Sequence, residues 1–276
     1  MVGSLGMVLV DASGFTVLLD APPRRIVSLV PSITEILFTL RLGPAVVGCT
    51  IFCTEPAEDV ARTTRIGGEK NPNLERIRDL GADLVIANIE ENVREHVDTL
   101  RAWGIPVFVT YPRTVAEGIQ LVRDLGMLTG TAEQGRSIAD DLTRRLLDLL
   151  GRREGRRRAR VFCPIWRRPY MTINGETYIH DMLGVTGGDN VFAGQGRRYP
   201  EVSLADVAAA RPDVILLPDE PYRFRHAHVS DFTPYAEMPA VAAGRIHLVD
   251  GKLLSWYGPR IARALEVLPD LLGVGD

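Results

Sequence analysis

The sequence predicts an α/β protein of two Rossmann-like lobes with mostly parallel sheets, joined by one long backbone helix. Three observations predict it. One pattern occurs twice: Asn73-Leu74-Glu75-Arg76-Ile77, five residues, then Asp83-Leu84-Val85-Ile86; and Ser203-Leu204-Ala205-Asp206-Val207, five residues, then Asp213-Val214-Ile215-Leu216. Short apolar runs alternate with helical segments on both sides, as in a parallel sheet covered by helices. Between the two copies, Ile138, Leu142, Leu146, Leu149 and Leu150 recur at helical spacing, with no turn residue between Gly135 and Gly151. The predicted partition is 1–130 for the N-terminal lobe, 131–155 for the connecting helix and 156–276 for the C-terminal lobe. Two lobes imply a cleft, and clefts bind ligands.

Each element follows from local chemistry. Val8-Leu9-Val10 and Thr16-Val17-Leu18-Leu19 flank Ala12-Ser13-Gly14 and predict a hairpin. Arg25–Val30 is the first buried strand, ended by Pro31. Ser32-Ile33-Thr34-Glu35 predicts a capping box that opens a helix. Val46–Gly48, Leu84–Ala87 and Val107–Val109 are further strands. Thr131–Arg153 predicts one helix of about 34 Å at 1.5 Å per residue. Such a stiff connector limits hinge motion and predicts a nearly preformed cleft. In the second lobe, Arg160–Cys163 is a strand, Asn174-Gly175 a turn, and a helix runs to Gly187-Gly188. Gly104 and Gly244 each open a late strand. Ile261–Leu268 is the closing helix, which Pro269 interrupts or ends.

Composition excludes several classes. The chain has 276 residues, 46% apolar content and a formal charge of −3, which suits globular lobes and demands no polyanionic partner. The basic stretch Arg152–Arg160 reads as a solvated helix end, cations being favoured there. No apolar run is long enough to span a bilayer. Met1–Met7 lacks a charged n-region and a cleavage site, so the chain as written reads as cytoplasmic, or as periplasmic or extracytoplasmic if a leader was removed. It is expected to be a monomer. No nucleophile elbow, phosphate loop, dinucleotide fingerprint or metalloprotease helix occurs. No catalytic residue, resident metal or cofactor of its own is assigned.

In a parallel sheet, ligands sit beyond the carboxyl ends of the strands. That rule selects Pro31-Ser32, Cys49 to Cys53, Lys70-Asn71, Asn88 to Asn92 and Tyr111 to Arg113 in the first lobe, and Trp166 to Tyr170, Tyr199, Asp219 to Tyr222 and Ser255 to Tyr257 in the second; the ligand-binding residues chosen from them are Lys70, Asn88, Arg113, Trp166, Arg168, Tyr170, Tyr199, Trp256 and Tyr257. The aromatics fall in predicted loops, and their flat faces suit a macrocycle or planar chelate. The arginines suit carboxylates or phosphates. Cys49 and Cys53 could bind a soft metal or oxidise, but read better as small buried side chains. His226 and His228 form a His-x-His pair without an evident third ligand.

In order along the chain, Arg25-Ile26-Val27-Ser28-Leu29 with Ser32–Glu35, Asn73–Ile77, Asp83–Ala87, Gly187-Gly188-Asp189-Asn190-Val191-Phe192, Tyr199-Pro200-Glu201-Val202-Ser203 and Gly258-Pro259-Arg260 resemble the helical-backbone metal receptors. These are the class III substrate-binding proteins of ABC importers, and the chain resembles their vitamin B12-binding branch. The resemblance covers Arg24 to Leu272. It implies non-catalytic binding of a metal chelate (corrinoid, haem or ferric siderophore) in the interlobe cleft. It also implies docking on an ABC permease through one acidic residue per lobe. Glu75 matches the first; the second falls at Ala205, with Asp206 adjacent. Tyr199 and Trp166 match pocket aromatics, Asn88 stands where an aromatic would line the first lobe, and Lys252 and Trp256 stand in place of an acidic and basic pair. A cytoplasmic metal-cofactor enzyme or a transporter-independent interaction protein are the alternative classes; a nitrogenase-type metallocluster would need more second-lobe cysteines than Cys163.

Overall fold

The computed structural model describes residues 7–275, so the N-terminal segment read for a leader lies largely outside the described residues. Two compact units divide the chain. One holds residues through Pro112 together with Glu117–Asp141 and Tyr257–Pro259; the other holds Arg113–Ala116, Leu142–Trp256 and Arg260 onward. The long helix, Ala132–Arg153, passes from the first unit into the second after Asp141.

The first unit opens with an antiparallel hairpin, β1 (Met7–Val10) and β2 (Thr16–Leu19). Its parallel sheet contains β3 (Ile26–Ser28), β4 (Val46–Cys49), β5 (Thr64–Arg65), β6 (Leu84–Asn88) and β7 (Val107–Thr110), in the order β5-β4-β3-β6-β7. Val27, Val85, Val107 and Val109 pack with Ile77 from the helix Leu74–Asp79 and Leu100 from the helix Arg94–Ala102. The second unit has β8 (Ala159–Phe162), β9 (Gly188–Asn190), β10 (Val214–Pro218) and β11 (Ile246–Val249), all parallel, in the order β11-β10-β8-β9. Phe162, Ile215 and Leu217 form its core with Val207 of the helix Leu204–Ala210.

The duplicated pattern has one job in both units. Asn73 and Ser203 are N-caps whose side chains accept from the N–H three residues on. The aspartate ten residues later pins the neighbouring strand. Asp83 donates its N–H to the Arg25 carbonyl, and its carboxylate accepts from the N–H groups of Arg24 and Arg25, both at 2.8 Å. Asp213 donates to the Arg160 carbonyl and accepts from the Arg160 N–H at 3.0 Å. Each motif therefore sets the helix start and the strand register together.

Two expectations are corrected. The helix begins at Pro31, with Val30 as N-cap and no side-chain cap, so Ser32 opens no capping box. Proline fits the first turn because that position needs no N–H, and the helix starts two residues earlier than a Ser32 cap would place it. The closing helix runs Arg260–Leu271 through Pro269, which is buried inside it. Gly187 ends the helix Tyr178–Thr186 in the left-handed region, at φ 98°. Gly258 has φ 76°, and a Cβ there would lie 2.3 Å from Ile36. The basic stretch is largely exposed, as expected of a solvated helix end, and also makes surface bonds: Arg158 pairs with Asp189 at 2.5 Å, and Arg160 donates to the Ala210 carbonyl at 2.8 Å.

Candidate functional site at the strand ends

Strand order reverses once in each sheet, and the crevice beyond the carboxyl ends at that point is the default ligand position. In the first unit the reversal lies between β3 and β6. Asn92 bridges it, its Nδ2 donating to the Leu29 carbonyl after β3 and to the Glu69 carbonyl after β5. Asn88, the last residue of β6, is buried. Its amide donates to Thr110 Oγ1 at 3.2 Å, and its Oδ1 accepts from the N–H groups of Glu90 and Glu91. Asn88 therefore shapes the rim and presents little of its own surface. Lys70 is exposed and donates to the Glu90 carbonyl. Arg113 is exposed after β7.

The sequence reading did not single out a carboxyl pair at this rim. Glu69 and Glu91 hydrogen-bond through their side chains. Burial, then repulsion from Glu91, pushes Glu69 up to about 8, and Lys70 only partly offsets it. Burial also raises Glu91. A carboxyl raised on folding stabilises the protein below its unfolded value, near 4.5, and that contribution is lost as pH rises towards 8. Glu69→Gln is therefore expected to flatten the fall in thermal midpoint between those limits. The gain at pH 8 should be about 1–2 kcal/mol, discounted because the group is partly exposed. Parallel pH slopes for parent and variant in calorimetry would contradict the shared proton.

In the second unit the order reverses between β8 and β10. Trp166, after β8, and Tyr222, after β10, meet edge to face at 5.5 Å between centroids. Tyr222 continues to Phe224 at 4.8 Å, and Tyr170 stacks on Phe224 at 6.3 Å. Beneath them Arg167 grips Asp231 with two bonds of 2.6 and 2.9 Å, and the Tyr170 hydroxyl donates to the same carboxylate at 2.6 Å. The Arg167 guanidinium holds Asp231 below the usual carboxylate range. Trp166 remains 45% exposed and Tyr199 37%. Arg168 is exposed in the left-handed region at φ 67°, a strained placement for a side chain of this size. Arg167 and Tyr222 lie in the strand-end loops that the sequence selects, whereas Asp231 was absent from the predicted set. The contact between 167 and 231 spans 64 residues, and no local spacing signals it.

Trp256 and Tyr257 occupy a loop as predicted, yet each is only 6% exposed. Loop position did not leave these two rings free. Lys252 and Arg260 lie over the Trp256 ring, at 5.4 and 5.3 Å from its centroid. The Trp256 side chain also hydrogen-bonds Glu220. His228 lends Nδ1 to the Arg225 N–H at 3.0 Å, which occupies one ring nitrogen, and no group of three metal-ligating side chains occurs among the described residues.

Of the predicted docking acids, Glu75 is exposed and paired with Arg78. Asp206 is exposed, and its Oδ2 closes the capping box with Ser203; the Ser203 hydroxyl lowers its pKa. Among the described residues no helix is long and apolar enough to cross a membrane.

A protein family described as "Periplasmic binding protein" matches residues 26–253. A vitamin B12-binding protein from Vibrio parahaemolyticus is 25% identical over 250 residues, covering 89% of this chain and 88% of that protein. One from Photorhabdus laumondii is 28% identical over 216 residues, 78% of each chain. Among solved structures, the periplasmic vitamin B12-binding protein BtuF of Vibrio cholerae superposes with a TM-score of 0.82 at 25% identity, covering 92% of this chain and 98% of that one. The periplasmic haem-binding protein RhuT from Roseiflexus sp. RS-1 gives 0.80 at 27% identity, covering 91% and 98%.

Proposed function

Because the chain belongs to the periplasmic binding protein family, we propose that it binds a metal chelate without catalysis and delivers it to an ABC-type importer outside the cytoplasm. The chelate class is corrinoid, haem or ferric siderophore, the ligands of its named relatives being vitamin B12 and haem. The observation that carries this reading is the aromatic pair Trp166 and Tyr222 at the strand-order reversal, with Arg168 exposed beside it. Flat rings supply contact area at low entropic cost, and guanidinium groups pair with carboxylate substituents. The exposed contacts are Trp166, Arg168, Tyr199, Lys70 and Arg113, with Tyr170 half-buried behind them. Asn88, Trp256 and Tyr257 complete the proposed set and are buried. Glu75 and Asp206 are the proposed permease contacts.

Titration with cobalamin, haemin and several ferric chelates, followed by Trp fluorescence, tests the proposal. At least one should bind more tightly than about 100 μM, a free energy of about 5.5 kcal/mol. Trp166→Ala should weaken that binding by about 1–3 kcal/mol, since the lost ring face is ligand area. Its melting temperature should stay close to the parent value, because the side chain is exposed in the free protein. Failure of every chelate to bind would remove the function.

A further inference from the structure

The ring chain of the second unit is bordered by guanidinium groups with unequal commitments. Arg167 is engaged: its two bonds to Asp231, at 2.6 and 2.9 Å, match its charge, and both side chains are mostly buried. Arg168, the next residue, and Arg225, directly after Phe224, are exposed, and among the described residues neither guanidinium forms an ion pair. His228 ties this border to the rings. Its ring lies 5.7 Å from Tyr222 and 5.8 Å from Phe224, and its Nδ1 accepts from the Arg225 N–H at 3.0 Å. A ring nitrogen that accepts carries no proton, so His228 adds no charge of its own. Tyr222 in turn meets Trp166 at 5.5 Å. Burial, then the charges of Arg167, Arg225 and Arg168, hold His228 below the usual imidazole range, and Asp231 offsets them only in part. Three cations therefore act on one point beside the ring floor, and a single carboxylate answers one of them.

We propose that the ligand is a carboxylate-bearing metal chelate, and that Arg168 and Arg225 read its carboxylates and so separate it from chelates with neutral substituents. The inference rests on the proposed function and narrows its ligand class. A guanidinium presents its N–H groups in a planar fork that fits both oxygens of a carboxylate. An exposed guanidinium loses little when a neutral ligand covers the rings, because water still reaches it. A carboxylate instead gains a charge-assisted bond, which strengthens as the ligand excludes water. Charge thus discriminates without a steric filter. Arg167 cannot serve in this way, since drawing it off Asp231 would leave a mostly buried carboxylate unpaired. The rings offer area to any flat chelate, so they set affinity while the two arginines set preference.

Four probes separate charge from shape. Haemin and ferric citrate carry carboxylates; cyanocobalamin and a neutral ferric trihydroxamate present amide or hydroxamate oxygens and no carboxylate. Each is titrated into the full-length protein at low and high salt, following Trp fluorescence. Haemin, ferric citrate or both should bind at least about tenfold more tightly than the two neutral probes, with the advantage shrinking at high salt. Haemin alone would identify a porphyrin, ferric citrate alone a carboxylate siderophore. Combining Arg168→Gln with Arg225→Gln should weaken the carboxylate chelates by about tenfold or more and change the neutral ones by less than about twofold. Arg62→Gln removes one of the same charges from an exposed position before β5, at the amino end of that strand, and should change neither class. Equal or tighter binding of a neutral probe in the parent overturns the inference. So does an unchanged affinity for the carboxylate chelates in the double variant, or an equal loss for all probes. Each of those results leaves the proposed function standing, whereas failure of all four probes to bind removes that function and this inference with it.

Discussion

Asp11→Ala is expected to lower the unfolding free energy by about 3–5 kcal/mol, the range for removing one partner of a buried ion pair. The Asp11 side chain has no exposed area. Its carboxylate takes Arg101 Nη2 at 2.5 Å, the N–H groups of Ser13, Phe15 and Val109 at 2.9, 3.0 and 3.0 Å, and the Ser13 hydroxyl at 2.7 Å. Those from Ser13 and Phe15 are local and shape the turn between β1 and β2. The others reach 90 and 98 residues along the chain. Alanine would strand the buried Val109 N–H, remove the acceptor of the part-buried Ser13 and Phe15 N–H groups, and leave Arg101, itself mostly buried, without its counter-charge. Asn at the same place keeps an acceptor and loses the charge, so its cost should fall between parent and alanine. Urea unfolding by circular dichroism measures both. A loss below about 1 kcal/mol for alanine would mean that water replaces the carboxylate, and that the hairpin contributes little to the first unit.

The same residue shows what a sequence discloses. Strands β1 and β2 were legible because Val8-Leu9-Val10 and Thr16–Leu19 flank turn residues. The carboxylate that ties them to β7 was not, since its partners are remote in sequence. The two echoes were legible for the opposite reason. Asn73 and Asp83, and Ser203 and Asp213, act through caps and backbone bonds whose spacing is fixed by one helix and one turn. Ser32 misled because a Ser-x-x-Glu run can also sit directly after a proline that already starts the helix. At the site, strand-end position identified Trp166 and Tyr199 as exposed aromatics, which they are. It could not tell them from Trp256 and Tyr257, which share loop position and are buried. The Glu69–Glu91 pair depends on the order of β5, β3 and β6 in the sheet, which places loops that are 22 residues apart side by side.

Trp256→Ala is expected to cost about 3–5 kcal/mol of stability, as for a large aromatic removed from a core. The ring is 6% exposed, Lys252 and Arg260 lie over it, and its side chain hydrogen-bonds Glu220. Alanine loses the packing, both cation–π contacts and that donor together. The loss should grow with pH. Burial already raises Glu220, while the bond from Trp256 and the Lys252 charge lower it. Without the indole donor its folded value rises further above the unfolded one. The added stability difference is present while the carboxyl is protonated and is lost as pH rises through the folded value. The penalty measured at pH 8 should therefore exceed that at pH 5. Trp256→Phe keeps most of the ring area without the donor, so it should recover packing and retain the pH trend. Thermal unfolding of the three proteins at both pH values separates the contributions. If alanine leaves the melting temperature unchanged while weakening chelate binding tenfold or more, Trp256 is a ligand contact whose face the bound chelate covers. A drop of several degrees with unchanged affinity makes it a packing residue, one that holds Glu220 and the end of β10 in place beside the aromatic pair Trp166 and Tyr222.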